Sequence, residues 1–237
     1  MPAFVYLIPT VLSEGEAGCL PHYILDAIKT CSVFFVENER TARRYVKLLW
    51  KEMMIDDYEW HNMKEVNNEV ALTFRQKIKE EKTIGIISEA GCPGVADPGQ
   101  LLVHIAQKMN VTVKPLVGPN SILLALMASG MNGQQFRFTG YLPIDALQRT
   151  KAIKALEADS KQNSCTQIFI ETPYRNNQLF ETLVKTCQPQ TLICVAADLT
   201  APTEQVQTKT AQQWKHSMPE LHKRPAIFLV YAANLQP

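Results

Sequence analysis

Residues 83–99 read T-I-G-I-I-S-E-A-G-C-P-G-V-A-D-P-G, from Thr83 to Gly99. The apolar first part has the length and β-branched content of a buried strand. From Ser88 onward come three glycines, two prolines and two carboxylates, Glu89 and Asp97. A buried strand that runs straight into such a loop is an α/β arrangement, in which ligands bind outside the carboxyl ends of parallel strands. Glycine lets the backbone approach a ligand or take positive φ, and proline stiffens the loop, so main-chain groups are presented in a fixed pattern. The spacing matches neither G-x-G-x-x-G nor G-x-x-x-x-G-K-[ST], so phosphate cradling is not expected, and a long structural turn is the alternative.

Moving outward, short β-branched or aromatic runs at 3–8, 32–36, 83–88 and 111–116 alternate with helical spacing at 20–29, 39–50, 68–81 and 99–109. This alternation predicts a parallel sheet with crossover helices. The stretch L-V-G-P-N-S-I-L-L-A-L-M-A-S-G at 116–130 has a strand end, a Gly-Pro turn and Asn120 or Ser121 at a helix N-cap. Its apolar segment at 121–128 reads as a buried helix. Strands are then expected at 135–141, 166–170, 192–197, 205–208 and 226–231 with fewer intervening helices, which predicts a mixed sheet. The expected organisation is an N-terminal α/β domain at 1–116 and a C-terminal α/β domain at 117–237, divided at the P-L-V-G-P turn.

Composition bounds the function. The chain has 237 residues, 24 Lys+Arg against 23 Asp+Glu, and six cysteines, enough length for two cored domains without staples. Cys19, Cys31, Cys92, Cys165, Cys187 and Cys194 are scattered singly, with no C-x-x-C pair, and read as reduced core residues and not as a zinc site. The first basic residue is Lys29 and no apolar run is long enough to span a bilayer, so a cytoplasmic protein with no membrane association is expected. The five histidines have no partner at metal-ligand or nucleophile spacing, so no metal is expected. With a net charge of +1, any nucleic-acid role needs a local patch. Arg40, Arg43, Arg44, Lys47 and Lys51 form the one cluster without an intervening acid. Helical spacing puts Arg40, Arg44, Lys47 and Lys51 on one face, with Tyr45, Leu48 and Leu49 facing elsewhere. The alternative is a solvated helix face.

Four ordered motifs carry a resemblance. S-E-A-G-C-P-G-V-A-D-P-G at 88–99 is similar to the S-D-A-G-T-P-x-x-x-D-P-G loop of the ribosomal RNA small-subunit methyltransferase I proteins, within the tetrapyrrole methylase (class III, S-adenosylmethionine-dependent) superfamily. L-V-G-P-N-S-I at 116–122 resembles their P-x-P-G-P-x-A-x, F-T-G-Y-L-P at 138–143 their G-F-L-P, and F-I-E-T-P-Y-R at 169–175 their Y-E-S-P-H-R. The likeness runs from about Tyr6 to Val230.

The resemblance implies a homodimer of two-domain α/β subunits, each holding S-adenosylmethionine in the cleft between its domains. It implies a donor site at Pro9, Glu89, Ala90, Gly91, Cys92, Val117, Ser121, Ile122, Ile170, Pro225 and Ala226. The implied reaction is 2′-O-methylation of a cytidine in small-subunit ribosomal RNA, with the RNA or the small ribosomal subunit as partner; Arg40, Arg43, Arg44 and Lys47 of the basic stripe are the candidate RNA contacts. A methyltransferase of the same fold acting on a small molecule or protein, and a donor-binding paralogue without turnover, stay open. Transfer to a ribose hydroxyl is helped by a base. Glu37 and Asp97 are the candidates, with Glu171 a third, each also readable as a surface carboxylate or cap. The chain departs from the family pattern in the loop Pro9-Thr10-Val11-Leu12-Ser13-Glu14-Gly15-Glu16, at Asn38 where the family has Asp in A-E-D-T-R, and at Glu89 in place of Asp.

Overall fold

The computed structural model describes residues 3–233. Contacts divide the chain into two compact units, Met1–Asn120 and Ser121–Pro237.

The first unit is built from β1 (Phe4–Ile8), α1 (Tyr23–Thr30), β2 (Val33–Val36), α2 (Glu39–Leu49), β3 (Glu59–Asn62), α3 (Asn68–Lys79), β4 (Ile84–Ile87), α4 (Gly99–Lys108) and β5 (Thr112–Pro115). Its strands pair in parallel in the order β3-β2-β4-β1-β5. Every residue of β2 (V-F-F-V) and β4 (I-G-I-I) is buried, because crossover helices cover both faces of a parallel sheet. Phe34 and Val36 pack with Ile24 and Ile28 of α1 and Tyr45 and Val46 of α2. Val33 and Phe35 pack on the other face with Phe74 and Ile78 of α3 and Leu102 and Ile105 of α4. The chain therefore leaves β1 and β2 toward one face and β3 and β4 toward the other. β4 lies between β1 and β2, so the crevices at both of its edges are topological switch points. The edge strand β3, E-W-H-N, was not among the expected strands. Its residues are exposed or half-buried, so it lacks the apolar run that betrays a central strand.

The second unit holds α5 (Ser121–Ser129), β6 (Phe136–Tyr141), α6 (Ala146–Asn163), β7 (Thr166–Ile170), α7 (Asn176–Thr186), β8 (Leu192–Ala197), β9 (Gln205–Thr210), α8 (Ala211–Trp214) and β10 (Ala226–Tyr231). The sheet order is β6-β7-β10-β8-β9, with β6 and β7 parallel and the other pairs antiparallel. The mixed sheet matches the expectation, whereas the scarcity of helices does not. The long α6 was missed because its buried face is Arg149, Ile153, Glu157 and Ser160, a helical repeat written largely in polar residues. Glu157 accepts a hydrogen bond from the Thr191 hydroxyl at 2.5 Å and from the Gln188 amide at 2.7 Å, which offsets the cost of its burial. α5 packs on β8, β9 and β10 through Ile122, Ala125 and Leu126, while Leu123 and Met127 are exposed. No helix among the described residues is long and apolar enough to cross a membrane.

Candidate functional site

Parallel pairing puts the carboxyl ends of β1, β2, β4 and β5 on one edge of the first sheet, and the loops that leave them tie to one another. The Thr10 amide donates to the Gly91 carbonyl at 2.9 Å, and the Thr10 hydroxyl reaches the Ser88 carbonyl at 3.4 Å. The Ser88 hydroxyl folds back to the Gly91 carbonyl at 3.3 Å. Gly91 has φ +73, left-handed backbone that glycine adopts without strain. The thiol of Cys92 lies 3.4 Å from the Pro119 carbonyl. Gly118 stacks against Pro9 so closely that a Cβ there would sit 2.1 Å from the Pro9 Cβ. Pro9 itself is held by the Tyr45 hydroxyl, which donates to its carbonyl at 2.6 Å, and the Val117 amide donates to the Tyr23 hydroxyl at 2.7 Å. Pro9, Glu89, Ala90, Gly91, Cys92 and Val117 are thus gathered on loops that contact one another or share partners.

β2 lies beside β4 with Val36 opposite Ile87, so the residues that follow each strand meet. The Glu37 carboxylate accepts the Glu89 amide at 2.9 Å. The Asn38 side-chain amide donates to the Glu89 carboxylate at 3.3 Å, while its oxygen caps α2 by accepting the Arg40 and Thr41 amides. Asp97 holds the Gly94 amide at 2.8 Å. Burial pushes its carboxyl above the usual range, with nearby Glu37 adding to the rise and the loop amides opposing it. Its second oxygen is buried without a partner.

Between the loop after β1 and helix α2 lies a cavity of about 390 Å³, walled by Val11, Leu12, Thr41, Leu48 and Ala90 with Glu89 and Arg44 at its polar points. That volume is within the range of small-ligand sites, and its lining is the usual apolar wall with a few polar groups. A second recess of about 350 Å³ is lined among others by Leu7, Cys92, Val103 and Leu116.

The basic cluster is less free than its spacing suggested. Arg43 pairs with Glu39 and its guanidinium lies 5.4 Å from the Trp60 ring centre. The Lys47 ammonium donates to the carbonyls of Lys51 and Met53, closing the end of α2. Arg44 pairs with Glu14 at 2.7 Å, and Arg40 and Arg44 are the exposed arginines. One expectation is corrected: Leu48 does not face away from the cations but lines the cavity beside Arg44, because four residues bring a helix round to nearly the same azimuth.

In the second unit, antiparallel pairing of β7 with β10 sets Ile170 opposite Ile227 and so next to Ala226 and Pro225. The Pro225 carbonyl accepts the Asp198 amide at 2.9 Å. Ser121 and Ile122 begin α5. Glu171 is buried and accepts from Arg175 at 2.6 Å and from the Thr172 amide at 2.7 Å. Burial would raise this carboxyl, but the guanidinium and the amide outweigh it and hold it below the usual range. It is a clamp for the 171–175 turn and not a free base. Asn38, Thr41 and Glu14 were not expected as site residues. Asn38 could have been found as a capping residue three positions before Thr41.

The model of the tetrapyrrole (corrin/porphyrin) methylases matches residues 20–214. The chain belongs to the tetrapyrrole methylase family. Membership makes it a protein of a methyltransferase lineage, which implies a methyl donor. Among curated relatives, it is 28% identical over 202 residues to the ribosomal RNA small subunit methyltransferase I of Escherichia coli O157:H7, covering 85% of this chain and 67% of the relative. It is 30% identical over 195 residues to the protein of that name from Helicobacter pylori J99, covering 76% and 64%. With the Micromonospora olivasterospora relative the covered share is 51%, so the chain spans about half to two thirds of the length of these relatives. In fold, it is similar to the methyltransferase CobJ, with a TM-score of 0.64 at 18% identity, covering 99% of this chain and 95% of that one. The uroporphyrin-III-C-methyltransferase of Thermus thermophilus gives 0.57 at 17% identity, covering 98% and 93%.

Proposed function

We propose that this methylase-family chain uses S-adenosylmethionine to methylate a ribose 2′-hydroxyl, that of a cytidine in small-subunit ribosomal RNA. The reading is supported by the relatives' names and carried by one observation: the loops after β1, β4 and β5 converge on Pro9, residues 89–92 and Val117, next to an apolar cavity bordered by Glu89. The residues suit the donor. A cationic, adenine-bearing ligand is served by apolar walls, main-chain groups and a nearby carboxylate. When bound, the donor supplies an electrophilic methyl for in-line displacement. Pro9, Glu89, Ala90, Gly91, Cys92 and Val117 hold it in this proposal, which extends to Ser121, Ile122, Ile170, Pro225 and Ala226 of the second unit on the motif matches alone.

The chain's task is then positioning and proton acceptance. The cavity beside α2 takes the acceptor nucleotide, with Leu48 and Leu12 against its apolar surface and Arg44 and Arg40 toward its phosphates. Of the two candidate bases, Glu37 is the better placed, through its bond to the amide of cavity-lining Glu89, because the free oxygen of Asp97 is sealed from solvent. A homodimer in the cytoplasm, where ribosomes are assembled, completes the reading.

Calorimetry with S-adenosylmethionine is expected to show one site per chain, and its absence would end the donor reading. Ribose-methylation mapping of ribosomal RNA with and without the gene is expected to show one lost position. Donor binding with an unchanged map would leave a different acceptor or a binding module. Glu14 competes with phosphate for Arg44, so Glu14→Gln is expected to tighten RNA binding about two- to fivefold, the scale of an exposed ion pair. The salt slope should steepen by roughly one phosphate contact, as read by fluorescence anisotropy in a salt series. An unchanged slope would remove Arg44 from the RNA interface.

A further inference from the structure

Asn38 makes contacts in two directions. Its oxygen accepts the Arg40 and Thr41 amides at 3.1 and 3.3 Å, which caps α2, and its nitrogen donates to the Glu89 carboxylate at 3.3 Å. Its main-chain carbonyl also accepts the Thr41 hydroxyl at 3.1 Å, which fixes a second cavity-lining residue. Only an uncharged amide can do all of this. An aspartate caps a helix as well as asparagine does and gains from the helix dipole, but it has no proton to offer Glu89. Glu89 is already beside one acid, since its amide is held by Glu37, and Asp97 is close enough to feel the Glu37 charge. Of the cations on α2, Arg44 lines the same cavity as Glu89, and it is paired with Glu14.

We infer that Asn38 is a positioning residue that ties the donor loop to α2, holding the Glu89 carboxylate at the cavity while fixing the first turn of the helix that carries Arg40 and Arg44. The inference rests on the donor reading above. It accounts for two of the chain's departures as one pair: an amide at 38 faces a carboxylate at 89, so the pair carries a single negative charge.

The test is an exchange across this contact. Asn38→Asp keeps the cap but sets two carboxylates against each other, and like charges at contact are strongly disfavoured. S-adenosylmethionine affinity, measured by calorimetry, is expected to fall about tenfold, a larger loss than in the affinity for RNA. The double variant Asn38→Asp, Glu89→Gln restores one amide and one carboxylate, and is expected to recover part of the lost donor affinity, measurably above the single variant. A helix cap acting alone would show neither the selective loss nor the rescue. Wild-type donor affinity in Asn38→Asp, or a double variant no better than the single one, overturns the inference. A wild-type chain that binds no donor fails in the first titration, and that result removes the donor reading together with this one.

Discussion

Gly118→Ala is expected to destabilise the first unit by about 3 kcal/mol, the upper end of overpacking costs, and to abolish binding of S-adenosylmethionine. The added Cβ would lie 2.1 Å from the Pro9 Cβ and 2.5 Å from its Cγ, far inside any allowed contact, so one of the two loops must move. Neither is free to yield. Pro9 is anchored through its carbonyl to the buried Tyr45, and Val117, next to Gly118, is anchored through its amide to Tyr23. The displacement therefore falls on Pro9 and Val117, two of the proposed donor contacts. Gly133→Ala, whose Cβ meets nothing within 4 Å, is the control, expected to stay within about 0.5 kcal/mol of wild type. Urea unfolding and calorimetry read both effects. A Gly118→Ala protein with normal donor affinity would show that the Pro9 and Val117 loops do not form the donor site.

The second large effect is expected from Arg175→Met. The Glu171 side chain is 0% exposed and its Arg175 partner 32%. Removing the guanidinium leaves a buried carboxylate with the Thr172 amide, a loss of about 3 kcal/mol near neutral pH. The pH dependence has a definite sign. The native environment holds Glu171 below the usual carboxylate range, so its contribution is present above the unfolded value of about 4.3 and is lost as pH falls through the native one. In the variant, burial without the cation raises the same group, and protonation relieves the penalty. The stability gap between wild type and variant is expected to be widest above about pH 6 and to narrow toward pH 4. A gap of equal size at both ends, measured by urea unfolding, would mean that the loss comes from packing of the Arg175 stem and not from the ion pair.

Much of the fold was legible because its determinants are local. The runs V-F-F-V and I-G-I-I, the helical spacing between them and the loop at 88–99 each declare themselves within about ten residues, and four of the five strands of the first unit, β1, β2, β4 and β5, stand where the periodicity put them. The polar edge strand β3 and the polar-faced helix α6 escaped because their burial is partial or rests on hydrogen bonds, which leave no apolar period. The site was legible to a lesser degree. The glycine-rich loop and the motif residues could be named from the sequence, but the partners that engage the basic cluster could not, since Glu14, Trp60 and Met53 come from outside α2.

The opening stretch at 83–99 shows where the division falls. By itself the sequence determined a buried strand, the stiff loop after it and the family, because strand propensity, turn chemistry and ordered motifs are properties of neighbouring residues. Only the tertiary structure decided what that loop touches. Glu89 and Asn38 are 51 residues apart, and they meet because β2 was placed beside β4 in parallel, ending in the same register. That placement comes from the burial of two sheet faces by helices distant in the chain, a collective outcome that no local pattern encodes.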